Sequence, residues 1–290
     1  MFFYFFYKLG QIIVRILSLN NAYRLSQQIA MIRYSFSIRD KRIVAENLKT
    51  VLEAKGEIIS EEKIEKLSRE VYENFGKYLV EFFKFSKIDK DFINKKVKIV
   101  GNIDIFNQLL NENKGLIAVS AHLGNWELGA AIVNALGYPS NSITLPHTSR
   151  IVSNFFDGLR IALGVRVIPI GMAIKRCFKA LKDNEVVCFL GDKDFSGNGI
   201  KINFMGKDVL IPRGPAVISL KTEAPIILIF LIREKDNNFK IIIEEAIHPA
   251  EFQDEESSVR LLTQKYVRIL EKYIKDYPTQ WLMFRKVWNS

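Results

Sequence analysis

Cysteine is scarce in this chain of 290 residues: Cys177 and Cys188 are the only two, too few for a disulfide framework. Free thiols and a reducing compartment fit them better. No CxxC or Cys/His cluster offers a zinc site. A cleaved signal peptide is also missing, because the start MFFYFFYKLGQIIVRILSLN lacks the order of basic residues, apolar core and small-residue cleavage site. Long hydrophobic runs are missing too. Lys8 and Arg15 interrupt the first segment well short of the ~20 apolar residues that a bilayer core requires. The later run PIILIFLI (225–232) has the length of a buried strand. Helix-turn-helix, KH, RRM and zinc-finger signatures are absent, which argues against a nucleic-acid partner.

What is present is a globular composition, 48% hydrophobic and 26% charged, enough for one large α/β domain or one domain with a helical appendage. The net charge is +10, and it is uneven. Residues 1–42 hold seven cations (Lys8, Arg15, Arg24, Arg33, Arg39, Lys41 and Arg42) against Asp40 alone. Such a segment suits an anionic partner. On a helix, Lys8, Gln11 and Arg15 share one side, with Phe, Ile, Leu and Val around the rest. That pattern predicts an interfacial, membrane-anchoring helix over 1–21. A first helix packed on its own core and a tilted span are the alternatives.

Residues 22–95 read as a helical region. EEKIEKLSREVYENFGKYLVEFFKF gives one long amphipathic helix, with Ser60 as its N-cap and Glu61 and Glu62 in its first turn. From residue 96 onward, short β-branched runs alternate with helical segments: 97–101, 115–121, 142–145, 165–170, 185–191, 225–232 and 239–247. This predicts a mixed central α/β sheet flanked by helices on both faces, a catalytic domain over 96–290.

The most informative string is VSAHLGNWELGA (119–130). A buried strand ends at Ala121, His122 follows, Gly124 turns the chain, and a helix carries Glu127. The carboxyl end of a strand is where α/β proteins bind ligands. His122 and Glu127 lie about 140° apart on a continuous helix, so they meet only if His122 precedes it. Glu127 would then orient one imidazole nitrogen and leave the other as a general base.

The H-x4-E pair of His122 and Glu127 resembles the H-x4-D/E motif of glycerolipid-type acyltransferases, and AHLGNWELG is similar to its form in the lipid A biosynthesis (late) acyltransferase family. RDKRIVAENL (39–48), YENFGKYLVEF (72–82), RIALGVRVIP (160–169), GDKDFSGNGIKINFMGK (191–207) and PTQWLMFRKVW (278–288) resemble further segments of that family in order. The resemblance implies an acyltransferase on the cytoplasmic face of a bacterial inner membrane. It would move a fatty acyl group from acyl carrier protein to a hydroxyl of a lipid A precursor. Relatives with this motif acylate other glycolipids, including mannosylated phosphoinositides, some from acyl-CoA. A thioester is already activated, so neither a metal nor a protein nucleophile is required, and no cofactor is expected. Backbone amides at the helix start after Gly124 are candidate oxyanion donors. A basic surface suits anionic lipids and an acidic carrier protein alike. The F-P-E-G-T/S string of glycerol-phosphate enzymes is missing, which counts against that acceptor.

Other candidates have a second, plainer reading. Asp192 and Asp194 sit after a strand, where they serve a site directly or only make Asx turns; a D-x-D pair also holds Mg²⁺ in glycosyltransferases. Asn125 and Trp126 line the mouth of the site or pack. Arg160 and Arg213 are candidates for binding an acceptor phosphate, against solvated charge. His147 and His248 read as loop residues, Trp281 as packing, Trp288 as an anchor or a core lid, and both cysteines as core thiols. The non-enzymatic alternative is a basic lipid-binding module.

Overall fold

The computed structural model describes residues 2–147, 149–252 and 257–288. Four helices come first: α1 (Phe2–Ile16), α2 (Leu19–Phe36), α3 (Ile38–Ala54) and α4 (Glu61–Lys84). Met1, the first residue of the expected anchoring helix, lies outside the described residues. Helix α4 begins where its sequence signals place it: Ser60 accepts a hydrogen bond from the Lys63 amide at 3.2 Å, and Glu61 and Glu62 face the positive end of the helix. A short helix α5 (Lys90–Lys96), capped by Asp89, leads into the sheet.

The α/β part then runs β1 (Val97–Val100), α6 (Ile105–Leu110), β2 (Leu116–Ser120), α7 (Trp126–Ala135), β3 (Ser140–Thr144), α8 (Arg150–Ala162), β4 (Arg166–Pro169), α9 (Ala173–Lys182) and β5 (Val186–Leu190). It continues through a hairpin, β6 (Ile200–Phe204) and β7 (Lys207–Ile211), then α10 (Gly214–Thr222), β8 (Ile226–Arg233), β9 (Phe239–Ile243) and α11 (Ser258–Asp276). Seven strands form one sheet in the order β1-β9-β8-β2-β5-β3-β4. All neighbours pair parallel except β8 with β9, so the sheet is mixed, as its sequence predicts.

Alternation along each strand divides the core between the two faces. On one face, Leu116, Ala118, Ile227, Ile229 and Leu231 pack with residues of α2, α3, α4, α7 and α8. On the other, Ile117, Val119, Leu228, Phe230 and Ile232 pack with residues of α9, α10, α11 and the hairpin. The helices of 22–95 thus share one hydrophobic cluster with the sheet. Each large side chain buried there, such as Phe82 or Phe106, contributes about 1.5–3 kcal/mol. The contact is also polar. Asn47 donates to the carbonyls of Met283 and Arg285, and Asn74 to that of Thr279. The buried Arg233 on β8 pairs with the buried Glu81 on α4.

Helix α1 packs on the chain's own core, one of the readings its sequence allows. Tyr4 and Tyr7 pack edge-on or stacked against Phe155 and Phe156 of α8, and Val14 is buried. Gln11 is buried and Arg15 donates to the Phe83 carbonyl, while Phe5, Leu9, Ile12 and Ile16 form an exposed stripe. Among the described residues no helix is long and apolar enough to cross a membrane.

The β6–β7 hairpin carries only a weak sequence signal. IKINF and KDVLI alternate with period two across a Met205-Gly206 turn in which both residues have positive φ, 55° and 78°. A two-residue primed turn is recognised most readily from Asn-Gly or Asp-Gly, and Met hides it.

Candidate active site

Strand pairing assembles the site. β2 and β5 are parallel neighbours with Ser120 opposite Leu190. Two residues further along each strand, His122 and Asp192 stand side by side. The Asp192 carboxylate meets His122 twice: Oδ1 lies 2.9 Å from Nδ1, and Oδ2 accepts the His122 backbone amide at 3.0 Å. The indole Nε1 of Trp281 also donates to Oδ2, at 2.8 Å. Asp192 is fully buried, so three donors satisfy a carboxylate that water does not reach.

The electrostatics follow from this geometry. Burial disfavours a charged imidazole, but the charge and hydrogen bond of Asp192 outweigh it and raise the His122 pKa above its usual value. Burial pushes Asp192 up, and His122, Trp281 and the His122 amide more than reverse it, so its carboxyl is held below the usual aspartate range. A carboxylate on Nδ1 leaves Nε2 as the nitrogen available to substrate.

This corrects the expected partner of His122. Glu127 does lie in the first turn of α7, but its carboxylate is bound by Arg160 of α8: Nε donates to Oε2 at 2.9 Å and Nη2 to Oε1 at 2.5 Å. Arg160 also donates to Asp157 at 2.8 Å. The fork geometry of a guanidinium matches a carboxylate better than an imidazole does, and it fills both oxygens. Glu127 reaches His122 only through space, as the smallest contribution raising its pKa. Arg160, read as a phosphate ligand, is already doubly paired.

Three further expectations change. Asn125 does not line the cavity; it is buried, caps α7 by accepting the Leu128 amide, and donates to Glu81 at 2.7 Å. Asp192, read as a substrate contact, is turned to His122. Asp194 borders the cavity, but its oxygens accept the amides of Ser196 and Gly199, the Asx-turn reading. Arg213 precedes α10, is exposed, and borders the cavity.

Gly124 explains how His122 leaves the strand. Its φ is +62°, and a Cβ there would sit 2.0 Å from the Leu231 carbonyl oxygen. Its amide donates to the Gln280 carbonyl and that of Asn125 to the Leu231 carbonyl, so neither serves as an oxyanion donor. The amides of Trp126 and Glu127 in the next turn have no acceptor among the described residues. The C-terminal segment closes the loop: Leu282 donates to the His122 carbonyl at 2.7 Å.

His122 and Trp126 open onto a cavity of about 1000 Å³. Its apolar walls include Phe75, Tyr78, Ala118, Ala130, Val133 and Ile229, from α4, α7 and the sheet. His147, read as a plain loop residue, borders it and stacks on Phe156. Lys193, Arg213 and Arg285 stand at its rim. Trp281, read as packing, is indeed buried, yet it also holds Asp192; only the folding of its segment beside the His122 loop discloses that second duty. Among the described residues no group of three or more His, Cys, Asp or Glu could hold a metal ion.

Curated relatives match most of the chain. A phosphatidylinositol mannoside acyltransferase of Mycolicibacterium smegmatis is 23% identical over 220 residues, 74% of this chain and 70% of the relative. One from Mycobacterium tuberculosis is 23% identical over 223 residues, 74% of this chain and 68% of the relative. The family model described as bacterial lipid A biosynthesis acyltransferase matches residues 1–290. With a carboxylate-paired histidine beside an apolar cavity and a family match over residues 1–290, the chain belongs to the bacterial lipid A biosynthesis acyltransferase family and is an acyltransferase.

Proposed function

We propose that this enzyme transfers a fatty acyl group from a thioester, on acyl carrier protein or CoA, to a hydroxyl of a glycolipid, with His122 as general base. The observation that carries this reading is the buried Asp192 carboxylate 2.9 Å from His122 Nδ1, beside an apolar cavity of about 1000 Å³. Asp192, not Glu127, is the residue that orients the base and stabilises its charged form.

The hydroxyl proton passes to Nε2 as the oxygen attacks the thioester carbonyl. The tetrahedral intermediate collapses by breaking the carbon–sulfur bond, and the imidazolium returns its proton to the departing thiolate. The free amides of Trp126 and Glu127 are the donors best placed by sequence for the oxyanion. The cavity takes the acyl chain. The Glu127–Arg160 pair braces α7 against α8 rather than joining the proton transfer.

The family description favours a lipid A precursor as acceptor; the names of the relatives favour a mannosylated phosphoinositide. Both are anionic glycolipids with free sugar hydroxyls. The exposed apolar stripe of α1 and the basic first 42 residues support a place at an anionic membrane surface, the cytoplasmic face of the inner membrane.

Purified protein incubated with labelled acyl–acyl carrier protein or acyl-CoA and each acceptor tests the reading, beside His122→Ala. Transfer by wild type with loss in the folded variant is expected. An active His122→Ala enzyme, or no transfer from any thioester to any glycolipid, overturns it.

A further inference from the structure

The strands β2, β3, β4 and β5 are parallel, so the segments that follow them emerge at one edge of the sheet. His122 follows β2 at that edge. The segments after β3, β4 and β5 carry exposed large apolar residues there: Leu145 and Ile151, then Ile170, Met172 and Ile174, then Phe195. Ile174 is 74% and Met172 49% exposed, in a turn and helix start where burial elsewhere in α9 selects Cys177, Ala180 and Leu181. A soluble surface gains nothing from such a concentration of apolar side chains.

Cations outnumber acids at this edge. Arg150, Lys175 and Arg176 are exposed, with no carboxylate partner among the described residues. Lys193 and Arg213 line the cavity. The acid of the same edge, Asp194, has its oxygens turned into its own loop. Leu145, Ile170, Ile174 and Phe195 border the cavity, and so does Tyr7 of α1. Part of the apolar lip and Tyr7 of α1 therefore border one cavity.

We propose that residues 170–176 form a second membrane-contacting lip, seated in an anionic bilayer together with α1, so that a lipid acceptor enters the cavity sideways from the membrane. Met172 and Ile174 immerse in the headgroup–acyl boundary, while Lys175 and Arg176 meet anionic headgroups. The proposal rests on the reading of the acceptor as a membrane lipid, but it is tested by binding alone.

The test uses the full chain with Met172→Trp and vesicles of phosphatidylethanolamine and phosphatidylglycerol whose acyl chains are brominated. Quenching above that of the native tryptophans, lost in high salt or in phosphatidylcholine vesicles, is expected. Lys175→Gln with Arg176→Gln should weaken vesicle binding by roughly five-fold per charge, while circular dichroism and detergent-phase acyl transfer remain as in wild type. Two results overturn the proposal. One is a signal from the introduced tryptophan that is indifferent to bound vesicles. The other is a signal that changes with protein concentration in their absence, which assigns the lip to a second copy of the chain. Because the readout is immersion, failure of acyl transfer would refute the proposed reaction without touching this result.

Discussion

Asp192 and Trp281 are joined by a hydrogen bond of 2.8 Å between residues 89 positions apart. It fixes the carboxylate oxygen that also holds the His122 amide, so Oδ1 is left to face the imidazole. Trp281 therefore acts on His122 through Asp192, while Leu282 to Arg285 of the same segment line the cavity. Its neighbours lock the same loop from the backbone side, with Gln280 accepting the Gly124 amide and Leu282 donating to the His122 carbonyl.

Replacing Asp192 by Asn keeps the shape and removes the charge. Turnover should fall about 10²–10⁴-fold. The pH dependence has a definite sign. A general base works when neutral, so activity rises with pH through the His122 pKa, which Asp192 raises. Without that carboxylate the acidic limb of the residual activity should move to lower pH. A limb that stays in place would mean another group sets it.

The Glu127–Arg160 pair is partly sheltered, with side chains 7% and 14% exposed. Removing one partner leaves the other charge poorly solvated, which costs about 3–5 kcal/mol for buried pairs. Glu127→Ala should therefore lose more stability to urea than Glu127→Ala combined with Arg160→Met. If the two losses simply add, the pair is not coupled and α7 is held otherwise.

Gly124→Ala forces a Cβ against the Leu231 carbonyl and a side chain into positive φ. The backbone strain alone is about 1–3 kcal/mol, and the turn carries His122. A lowered Tm accompanied by loss of kcat should appear in thermal melts and steady-state assays. Wild-type behaviour would show that the loop has room to shift.

Ala130 lies on the cavity wall contributed by α7. Ala130→Leu should shorten the preferred acyl chain, since each methylene excluded from an apolar site loses about 0.8 kcal/mol. Competition between donors of different chain length measures this. An unchanged preference would place the acyl chain elsewhere in the cavity.

Features with local causes are legible in the amino-acid order. Helix α4 follows from its cap and apolar stripe, the strands from their β-branched runs, the exposed apolar face of α1 from its periodicity, and His122 from its place between a strand and a glycine turn. These depend on neighbours a few residues away. The partnerships depend on long-range packing. Asp192 reaches His122 across 70 residues only because β5 pairs with β2, and nothing in either strand specifies that order. Glu127 binds Arg160 because α8 packs beside α7, which gives the carboxylate a guanidinium before an imidazole. Asn125 becomes a cap that also reaches Glu81, and Trp281 an anchor for Asp192, through contacts made by distant segments. Side-chain chemistry limits what each residue can do; the sheet's strand order and the packing of helices on it decide which partner each one meets.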